Sequence, residues 1–371
     1  MRGWTSAVVA LAVTASVGVV PVASAAPSAC DTKPIQTALA ALKNIGAPGV
    51  AVTVKSPNCG VWNGGVGLAD RRTGRNVVGD EHSRIASDTK TWTAAVVLQL
   101  VGEGKIDLDE TVDHYLPGVV RTPVYDGRKI TVRQLLQQTS GLPDYLDAPF
   151  WNDEEAHRWE HIDPSLTVRQ ALALDPPEQA PSGFAYANTN YNLAGMIVTK
   201  VTGRPVGTEL TQRIIKPLGL CETYWPGDET TIDQPELRGY PEQEDGTLAD
   251  KTEWNTSEAD ASGELISTGA DATAFWTALL TGKVLAPAQL AEMKRTVPDD
   301  YGEGYGLGLQ QYQLTPGLFT WGHSGGMSSG HEFRNAVTDD GRRAVTLLID
   351  TDKYDSDAVD SIIGALIRDL R

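Results

Sequence analysis

The chain has 371 residues, of which 48 are acidic and 31 are basic, so its net charge is −17 at pH 7. That length is more than one simple core usually needs, and it predicts two lobes. Because this net charge would repel other polyanions, we expect neither nucleic acid nor an anionic lipid surface among the partners. Three cysteines are too few for a disulfide framework, so a hydrophobic core must hold the fold.

Residues 1–25 are typical of a secretory signal peptide. Arg2 supplies a positive charge, residues 7–22 form an apolar segment, and Ala23-Ser24-Ala25 fits the small-x-small cleavage rule. The apolar segment is too short, and too rich in alanine, serine and glycine, for a transmembrane anchor. We therefore expect cleavage near Ala25–Ala26 and a secreted protein without a stable membrane anchor.

The first folded segment is expected to be a helix at 31–45 followed by strands at 50–54 and 61–68. Pro34 lies in the first turn of that helix and Gly46 follows its end. Cys30 and Cys59 flank this helix and the first strand and could be bridged, whereas Cys221 lies far along the chain. The spacing alone leaves the pairing open.

A helical block follows between residue 87 and about residue 235. Its predicted helices lie at 91–103, 132–138, 168–174, 191–202 and 206–215. The acidic, polar segment 228–258 has few apolar anchors and is expected to be a long surface loop. Strands return at 318–322, 333–337 and 343–350. A last helix at 358–370 is apolar on one face only and should cover a sheet.

This order of elements predicts an α/β (α+β) fold. The simplest arrangement is an antiparallel sheet flanked by helices and built from both chain ends. Residues 26–86 and 255–371 would form the sheet domain. Residues 87–254 would form an all-helical domain inserted between its two parts.

Ser87 and Lys90 form the only Ser-x-x-Lys sequence in the chain, and they precede a long apolar helix. Residues three apart lie on one face of a helix, so the amine would stand beside the hydroxyl. A neighbouring base of this kind turns a serine into a nucleophile. At the helix start, unpaired backbone N–H groups are also available to a developing anion. The pattern indicates acyl transfer.

Two further motifs follow in the chain. Tyr186 and Asn188 form its only Tyr-x-Asn sequence, and His323-Ser324-Gly325-Gly326 ends a predicted strand. On a strand, alternate residues share a side, and the glycines allow close approach of the backbone.

Together with their surroundings, these motifs resemble the serine β-lactamase-related family. That family includes class C β-lactamases, Streptomyces-type D-alanyl-D-alanine carboxypeptidases, D-amino-acid peptidases and some esterases. The segments that carry the resemblance are residues 85–119, 130–145 and 267–271, and the likeness covers nearly all of the chain after residue 25. It implies the β-lactamase/transpeptidase-like fold, with neither a metal ion nor a cofactor.

The resemblance implies a role for each motif. Ser87 would attack an acyl carbon, and neutral Lys90 would take or relay its proton, which requires a lowered lysine pKa. Tyr186 would pass a proton to the departing amine. Asn188 would hold a peptide-like substrate and fix Lys90.

The third motif would bind the carbonyl and the carboxylate of the substrate. Backbone N–H groups of Ser87 and Gly326 would form the oxyanion hole. Gly325 would lie beside the substrate, and His323 and Ser324 would hold the substrate carboxylate. If His323 did so as an imidazolium, KM should rise as the pH passes its titration, near about 6.5 if unperturbed.

Departures from the family pattern bear on the substrate. β-Lactamases usually carry lysine where this chain has His323, which resembles the carboxypeptidase and D-peptidase branch instead. No match exists for the class A deacylating glutamate. Asp88 replaces a residue that is more often apolar or neutral, and next to Ser87 it should point away from Lys90.

These features predict an exported serine hydrolase, first a D-alanyl-D-alanine carboxypeptidase acting on cell-wall peptides that end in D-Ala-D-Ala. A D-amino-acid peptidase, amidase or esterase is the alternative, followed by a weak β-lactamase. β-Lactams are expected as possible acylating inhibitors. The non-enzymatic alternative is a penicillin-binding sensor, which would be acylated by the antibiotic without turning it over.

Two motifs suggest other chemistry. Residues 322–326 match the Gly-x-Ser-x-Gly elbow of α/β-hydrolases, but no acid lies between Ser324 and His331 and strands follow instead of a helix. His157 and His161 match an inverted zincin motif. The acidic surroundings of that pair lack an apolar stripe that would bury a zinc site, so a solvated segment near the cleft mouth is expected.

Overall fold

The protein is described by a computed structural model that covers Met1 and residues 30–177, 183–300 and 303–370. The expected signal peptide lies outside the described residues, apart from Met1. The strands of the described part are β1 (Gly49–Ser56), β2 (Gly60–Asp70), β3 (Arg75–Asn76), β4 (His82–Arg84), β5 (Ile266–Thr268), β6 (Val297–Pro298), β7 (Gly304–Tyr305), β8 (Gln310–Thr315), β9 (Leu318–Gly322), β10 (Gly325–Gly326), β11 (Glu332–Thr338) and β12 (Ala344–Ile349).

The α-helices of the same residues are α1 (Lys33–Leu42), α2 (Thr89–Gly102), α3 (Val112–Tyr115), α4 (Val132–Leu136), α5 (Glu154–His157), α6 (Pro164–Ala171), α7 (Asn188–Thr202), α8 (Val206–Leu210), α9 (Lys216–Leu218), α10 (Gly269–Leu280), α11 (Pro287–Met293) and α12 (Ser356–Asp369). Short 3₁₀ turns lie at Ala86–Asp88, Tyr145–Asp147, Pro149–Asp153 and Asp260–Ser262. A π-helical turn at Thr211–Ile215 connects α8 to α9.

A large antiparallel sheet has the strand order β3-β2-β1-β12-β11-β9-β8-β7-β6, with β10 paired to β11. Strand β1 lies between β2 and β12, so residues from near both chain ends pair directly, as in Val50 with Ile349. Strands β4 and β5 form a separate two-stranded sheet. The predicted fold class, an antiparallel sheet flanked by helices and built from both chain ends, is confirmed.

Helices cover both faces of this sheet because its central strands are apolar on both sides. Val50, Val52 and Val54 point toward α1 and α12, and they pack in one core with Ile35 and Ile363. On the opposite face, the core contains Ala51, Leu348 and Phe275 together with the long helix α2. The last helix covers the sheet as its one-sided apolar pattern predicts.

The helical block between β4 and β5 is also present, although the division at residues 86/87 and 254/255 stays a prediction. The helices predicted in this block are present, with ends shifted by a few residues. Helices α10 and α11 and strands β6 to β8 were not predicted from the sequence. The segment 228–258 is an irregular loop, as predicted, but the expectation that it lies on the surface with few apolar anchors is wrong for the parts on either side of residues 242–251. Leu237, Tyr240 and Trp254 are buried, and the backbone carbonyls of Thr230, Thr252 and Trp254 accept hydrogen bonds from the buried guanidinium of Arg84.

Cys30 and Cys59 form a disulfide between the start of α1 and the turn after β1, and Cys221 is a free, exposed thiol. The bridge that the sequence left open therefore ties the first helix to the sheet. Within the described residues, no helix combines the length and the hydrophobicity that a bilayer crossing requires.

Candidate active site

Ser87 lies in the 3₁₀ turn that leads into α2, where the backbone is constrained. Ala86, directly before it, has a φ of +47°, a left-handed conformation that costs energy for a residue with a side chain. Lys90 is the only charged residue in α2, and the helix from Thr89 to Leu98 is buried. The sequence therefore builds a buried helix that holds a serine at its first turn and one amine directly behind that serine.

Lys90 is fully buried, and its Nζ has three hydrogen-bond partners. They are Ser87 Oγ at 2.9 Å, Asn188 Oδ1 at 2.6 Å and the backbone oxygen of Ser262 at 2.8 Å. Burial lowers the pKa of the Lys90 ammonium to about 7, and nearby Asp144 opposes that shift. A substantial fraction of the amine is therefore neutral near pH 7, as a base for Ser87 requires.

Asn188, the first residue of α7, is held by a carboxylate that the sequence analysis did not single out. Asp144 Oδ2 accepts hydrogen bonds from Asn188 Nδ2 at 2.8 Å and from the backbone N–H of Asn188 at 3.0 Å. Its Oδ1 accepts from the backbone N–H of Leu146 at 3.1 Å. An unbroken chain of contacts thus runs from Asp144 through Asn188 to Lys90 and Ser87.

Tyr186 lies at the mouth of this group with its side chain partly exposed. The centre of its ring is 5.0 Å from Lys90 Nζ, and the ring stands edge-on to that of Tyr305. The structure thus brings together all four side chains of the first two motifs, Ser87, Lys90, Tyr186 and Asn188. Their catalytic roles stay predictions.

The glycines of the third motif let its backbone reach the nucleophile. Strand β10 pairs with β11, and a methyl group at Gly325 would lie 2.4 Å from the carbonyl oxygen of Ile85 and 2.9 Å from the backbone nitrogen of Ser87. Gly326 borders the same cleft as Ser87. The backbones of Ser87 and Gly326 are therefore close neighbours, and their use as an oxyanion hole stays a prediction.

His323 is placed differently from the prediction. It is 2% exposed, its Nδ1 donates to the backbone oxygen of Ser324 at 2.6 Å, and its Nε2 accepts from the hydroxyl of Tyr305 at 3.0 Å. Burial, aided by Lys90, lowers the pKa of His323 to about 3. The interpretation of His323 as an imidazolium that holds a substrate carboxylate is therefore wrong, because the ring is neutral, enclosed and fully bonded.

Ser324 is also displaced from its expected role. Its side chain borders a separate cavity of about 440 Å³ together with Tyr312 and Arg334, and it does not border the cleft at Ser87. Ser324 lies with His323 in the irregular link between β9 and β10, where strand alternation does not fix the direction of a side chain. The side-chain carboxylate anchor expected from this motif is absent among the described residues.

Asp88 points away from Lys90, as its position next to Ser87 predicts. Its carboxylate is fully buried and accepts hydrogen bonds from the indole N–H groups of Trp92 at 3.0 Å and Trp276 at 2.9 Å. Burial raises the pKa of Asp88 to about 7, while the two indoles oppose that shift. Asp88 thus holds the first turn of α2 against α10 and leaves Lys90 to its own partners.

The cleft in front of Ser87 has a volume of about 360 Å³ and is aromatic and acidic. Trp151, Trp254 and Tyr145 contribute aromatic surface, and the four carboxyl side chains on its border are Glu154, Glu258, Glu332 and Asp352. Burial raises the pKa of Glu258 to about 7. Across the cleft, the hydroxyl of Ser328 donates to Glu154.

The alternative motifs form no second centre in the described residues. Helix α5 ends at His157, whose Nδ1 pairs with Glu160 at 3.0 Å and whose ring stacks on Phe150. His161 lies beyond the helix and pairs with Asp228 at 2.6 Å. The two imidazoles therefore do not share one helix face, and Gly322 to Gly326 leads into strands β10 and β11, which a nucleophile elbow would not do.

Comparison with known proteins agrees with this arrangement. Residues 35–367 match the family model for beta-lactamase. The chain belongs to the beta-lactamase family. The sequence resemblance is thereby confirmed.

Two solved structures resemble the whole fold of this family member. A D-stereospecific amidohydrolase from Streptomyces sp. is 38% identical, with a TM-score of 0.83 over 90% of this chain and 98% of that chain. The D-amino acid amidase from Ochrobactrum anthropi SV3, complexed with L-phenylalanine, is 27% identical, with a TM-score of 0.78 over 91% and 98%.

Matches to curated proteins are partial. The N-acetylmuramyl-L-alanine amidase of Bacillus subtilis is 34% identical over 145 residues, which are 38% of this chain and 32% of that protein. The chain spans about a third of the length of the curated relatives that it matches.

The sequence analysis missed the residues around the motifs. Asp144 lies inside the segment 130–145 that carries the family resemblance, so its position next to Tyr145 was a usable signal. Trp254 and Glu258 gave none, because their approach to the cleft depends on how the irregular segment 228–258 packs, and Ser262 gave none, because its backbone oxygen reaches Lys90 only through the 3₁₀ turn that follows this segment.

Proposed function

We propose that the protein is an amidohydrolase that cleaves D-amino acid amides and short D-peptides with a free N-terminal ammonium, through an acyl-enzyme on Ser87. The observation that carries this choice is the charge of the cleft. Four carboxyl side chains border it, and among the described residues no lysine or arginine does, since Lys90 lies behind Ser87. Such a surface attracts an ammonium group and repels a carboxylate.

The half-buried position of Glu258 on the cleft border supports the same substrate class. A carboxyl whose pKa is raised to about 7 by burial is costly to ionise alone. A substrate ammonium beside it would favour the charged form and gain a charge-assisted contact. The aromatic side chains Trp151 and Trp254 would cover an apolar substrate side chain at the same end of the cleft.

The proposed chemistry follows the contacts of Lys90. Ser87 Oγ attacks the amide carbon while its proton passes to Lys90 Nζ, and the resulting oxyanion is held by the backbone N–H groups of Ser87 and Gly326. The C–N bond then breaks as Tyr186 gives a proton to the leaving nitrogen. The proton on Lys90 Nζ passes to Tyr186, which regenerates the neutral amine and the phenol. Lys90 then takes a proton from water, which attacks the acyl carbon. The bond from that carbon to Ser87 Oγ breaks, the acid leaves, and the proton returns to Ser87 Oγ.

The D-alanyl-D-alanine carboxypeptidase that the sequence predicts first is the second candidate. The three motifs are equally compatible with it, and it would act on peptidoglycan peptides. It requires an anchor for the terminal carboxylate, however, and the expected groups on His323 and Ser324 do not face the cleft. For that reason the amidase is ranked above it.

The test compares kcat/KM for D-phenylalanine amide, its L enantiomer, its N-acetyl derivative and an N-acylated D-Ala-D-Ala peptide. We expect the free D-amide to be the best substrate. N-acetylation should lower kcat/KM by about 10- to 100-fold, because it removes one charge-assisted contact, which contributes about 1.5–3 kcal/mol. Faster turnover of the acylated D-Ala-D-Ala peptide would establish the carboxypeptidase instead.

Ser87→Ala is the matched control for every substrate. We expect it to lose turnover of the whole panel while it keeps the melting temperature of the parent within about 2 °C, because Ser87 is only partly buried. Normal activity in this variant would refute the assignment of the nucleophile. A long-lived penicilloyl adduct on Ser87 without turnover of any amide would identify a penicillin-binding sensor.

We also propose that the protein is exported. The apolar N-terminal segment with its small-x-small site supports export, and the Cys30–Cys59 disulfide is of the kind that persists in oxidising compartments. Mass spectrometry of the culture supernatant would test this by locating a mature N-terminus near Ala26.

A further inference from the structure

The orientation of the Asn188 amide is decided by a group outside the three motifs. A side-chain amide has one acceptor end and one donor end, and only its hydrogen-bond partners tell which end faces which neighbour. An ionised carboxylate accepts hydrogen bonds only. Because Asp144 Oδ2 lies 2.8 Å from the amide nitrogen of Asn188, the amide oxygen must face Lys90, at 2.6 Å.

This orientation has a consequence for the proton on Lys90. A neutral amine has two N–H donors and one lone pair. Asn188 Oδ1 and the backbone oxygen of Ser262 are both acceptors, so they consume both N–H groups of neutral Lys90. The lone pair is then left for the third neighbour, the hydroxyl of Ser87 at 2.9 Å. Neutral Lys90 is thereby aimed at Ser87.

We propose that Asp144 is a positioning residue of the hydrolase: its negative charge holds the Asn188 amide so that the lone pair of Lys90 faces Ser87, and the same charge sets the pH at which Lys90 becomes a base. The inference rests on the proposed acyl transfer at Ser87 and extends it by one residue that acts only through others.

The hydrogen bonds of Asp144 favour its ionised form, although burial opposes it. Asp144 is half-buried, and burial raises the pKa of its carboxyl, but the backbone N–H groups of Asn188 and Leu146 and the nearby Lys90 act in the opposite direction. Asp147 is the acidic neighbour that disfavours the charge. All three hydrogen-bond partners of this carboxyl group are N–H donors. A protonated carboxyl group would find no acceptor for its O–H at these contacts.

Two other titratable groups near Lys90, Tyr191 and His323, do not supply a competing charge. The rings of Tyr186 and Tyr191 lie 5.0 and 5.7 Å from its Nζ, and burial raises the pKa of Tyr191 well above its usual value, so that phenol is neutral. His323 is neutral as well, since burial lowers its pKa to about 3. Asp144 is therefore the group whose charge opposes the lowering of the Lys90 pKa.

The experiment is the pH dependence of kcat/KM for D-phenylalanine amide, or for the best substrate of the panel, in Asp144→Asn, Asp144→Glu and the parent enzyme. Activity rises with pH as Lys90 loses its proton. Without the charge at 144 the ammonium is less favoured, so the acidic limb of Asp144→Asn should move to lower pH by between about one and two units, as expected for charges roughly 7 Å apart at an effective dielectric constant of about 20.

The plateau of kcat/KM should fall in the same variant. With a neutral amide at 144, the Asn188 amide can turn its N–H₂ end toward the lone pair of Lys90 and compete with Ser87. We expect a decrease of about 10- to 100-fold at high pH. Asp144→Glu keeps the charge, so its acidic limb should stay at the position of the parent even if its plateau falls.

Asp163→Asn is the matched control. Asp163 also accepts a backbone N–H two residues later, that of Ser165 at 2.8 Å, but at the start of α6, and it is not among the groups whose charge acts on Lys90. We expect Asp163→Asn to change neither the acidic limb nor the plateau of the kcat/KM profile. A lower plateau in Asp144→Asn with an unmoved limb would show a structural role only and overturn the inference.

Failure of the inference and failure of the proposed function give different results. If Ser87→Ala retained activity, acyl transfer at Ser87 itself would be wrong. If Ser87→Ala were inactive while the limb of Asp144→Asn stayed in place or moved to higher pH, only the role of Asp144 would fall. The limb position does not depend on how much of the variant folds, so partial misfolding cannot mimic the predicted shift.

Discussion

Replacing Lys90 by methionine should change the stability of the protein in a way that depends on pH. Methionine has a similar length but carries no charge. Because burial lowers the pKa of Lys90 from 10.5 to about 7, the folded protein binds fewer protons than the unfolded chain between these values. Lys90 therefore lowers the free energy of unfolding by its full amount below about pH 7, and this effect decreases as the pH rises toward 10.5.

The magnitude follows from the two pKa values. One pKa unit corresponds to about 1.4 kcal/mol, so the contribution of Lys90 opposes folding by about 5 kcal/mol at pH 6 and by about 2 kcal/mol at pH 9. The three hydrogen bonds that the variant loses add an offset that changes little with pH. From pH 6 to pH 9, the parent should therefore gain about 3 kcal/mol of unfolding free energy relative to Lys90→Met.

The measurement is urea unfolding of both proteins at pH 6, 7.5 and 9, with linear extrapolation to water. Groups that titrate alike in both proteins cancel in the difference between them. A difference that stays constant across this range would mean that Lys90 keeps a pKa near 10 in the fold. The proposed role as a neutral base would then fail, whatever the activity of the variant.

Two other substitutions probe the packing around the nucleophile. Gly325→Ala should lower kcat/KM at least about tenfold, because the new methyl group would lie 2.4 Å from the carbonyl oxygen of Ile85 and displace the turn that carries the serine. Gly102→Ala, whose methyl group meets nothing closer than 3.5 Å, is the control and should be silent. Trp276→Phe removes one of two donors to buried Asp88 and should cost about 2 kcal/mol in urea unfolding, and an unchanged stability would contradict that account.

The sequence was informative where a local pattern fixed a local structure. Three patterns each predicted the element that formed, with ends shifted by a few residues. They are the apolar residues of β1, the uncharged segment after Lys90 and the one-sided apolar face of the last helix. Spacing alone also brought Ser87 and Lys90 together, because three residues are about one helical turn. Regular periodicity carries this information because burial repeats with the geometry of the element.

Local pattern failed where burial depends on distant chain segments. His323 looked like a cationic anchor, but Tyr305 and the Ser324 carbonyl enclose it and keep it neutral. The polar segment 228–258 looked like a surface loop, yet the carbonyls of this segment hold buried Arg84 and its single tryptophan, Trp254, borders the cleft. In both cases the partner lies in another part of the chain, where no periodicity could reveal it.

The sequence by itself determined the fold class, the family and the four side chains of the first two motifs, since these follow from short-range spacing and from an ordered set of motifs. The tertiary structure decided the electrostatics of the site. Whether Lys90 is neutral, whether His323 is charged and which end of Asn188 faces the amine depend on burial and on Asp144 and Ser262, which meet only when the chain folds. Desolvation and close hydrogen bonds are properties of the assembled core, and they set the charge on which the proposed chemistry depends.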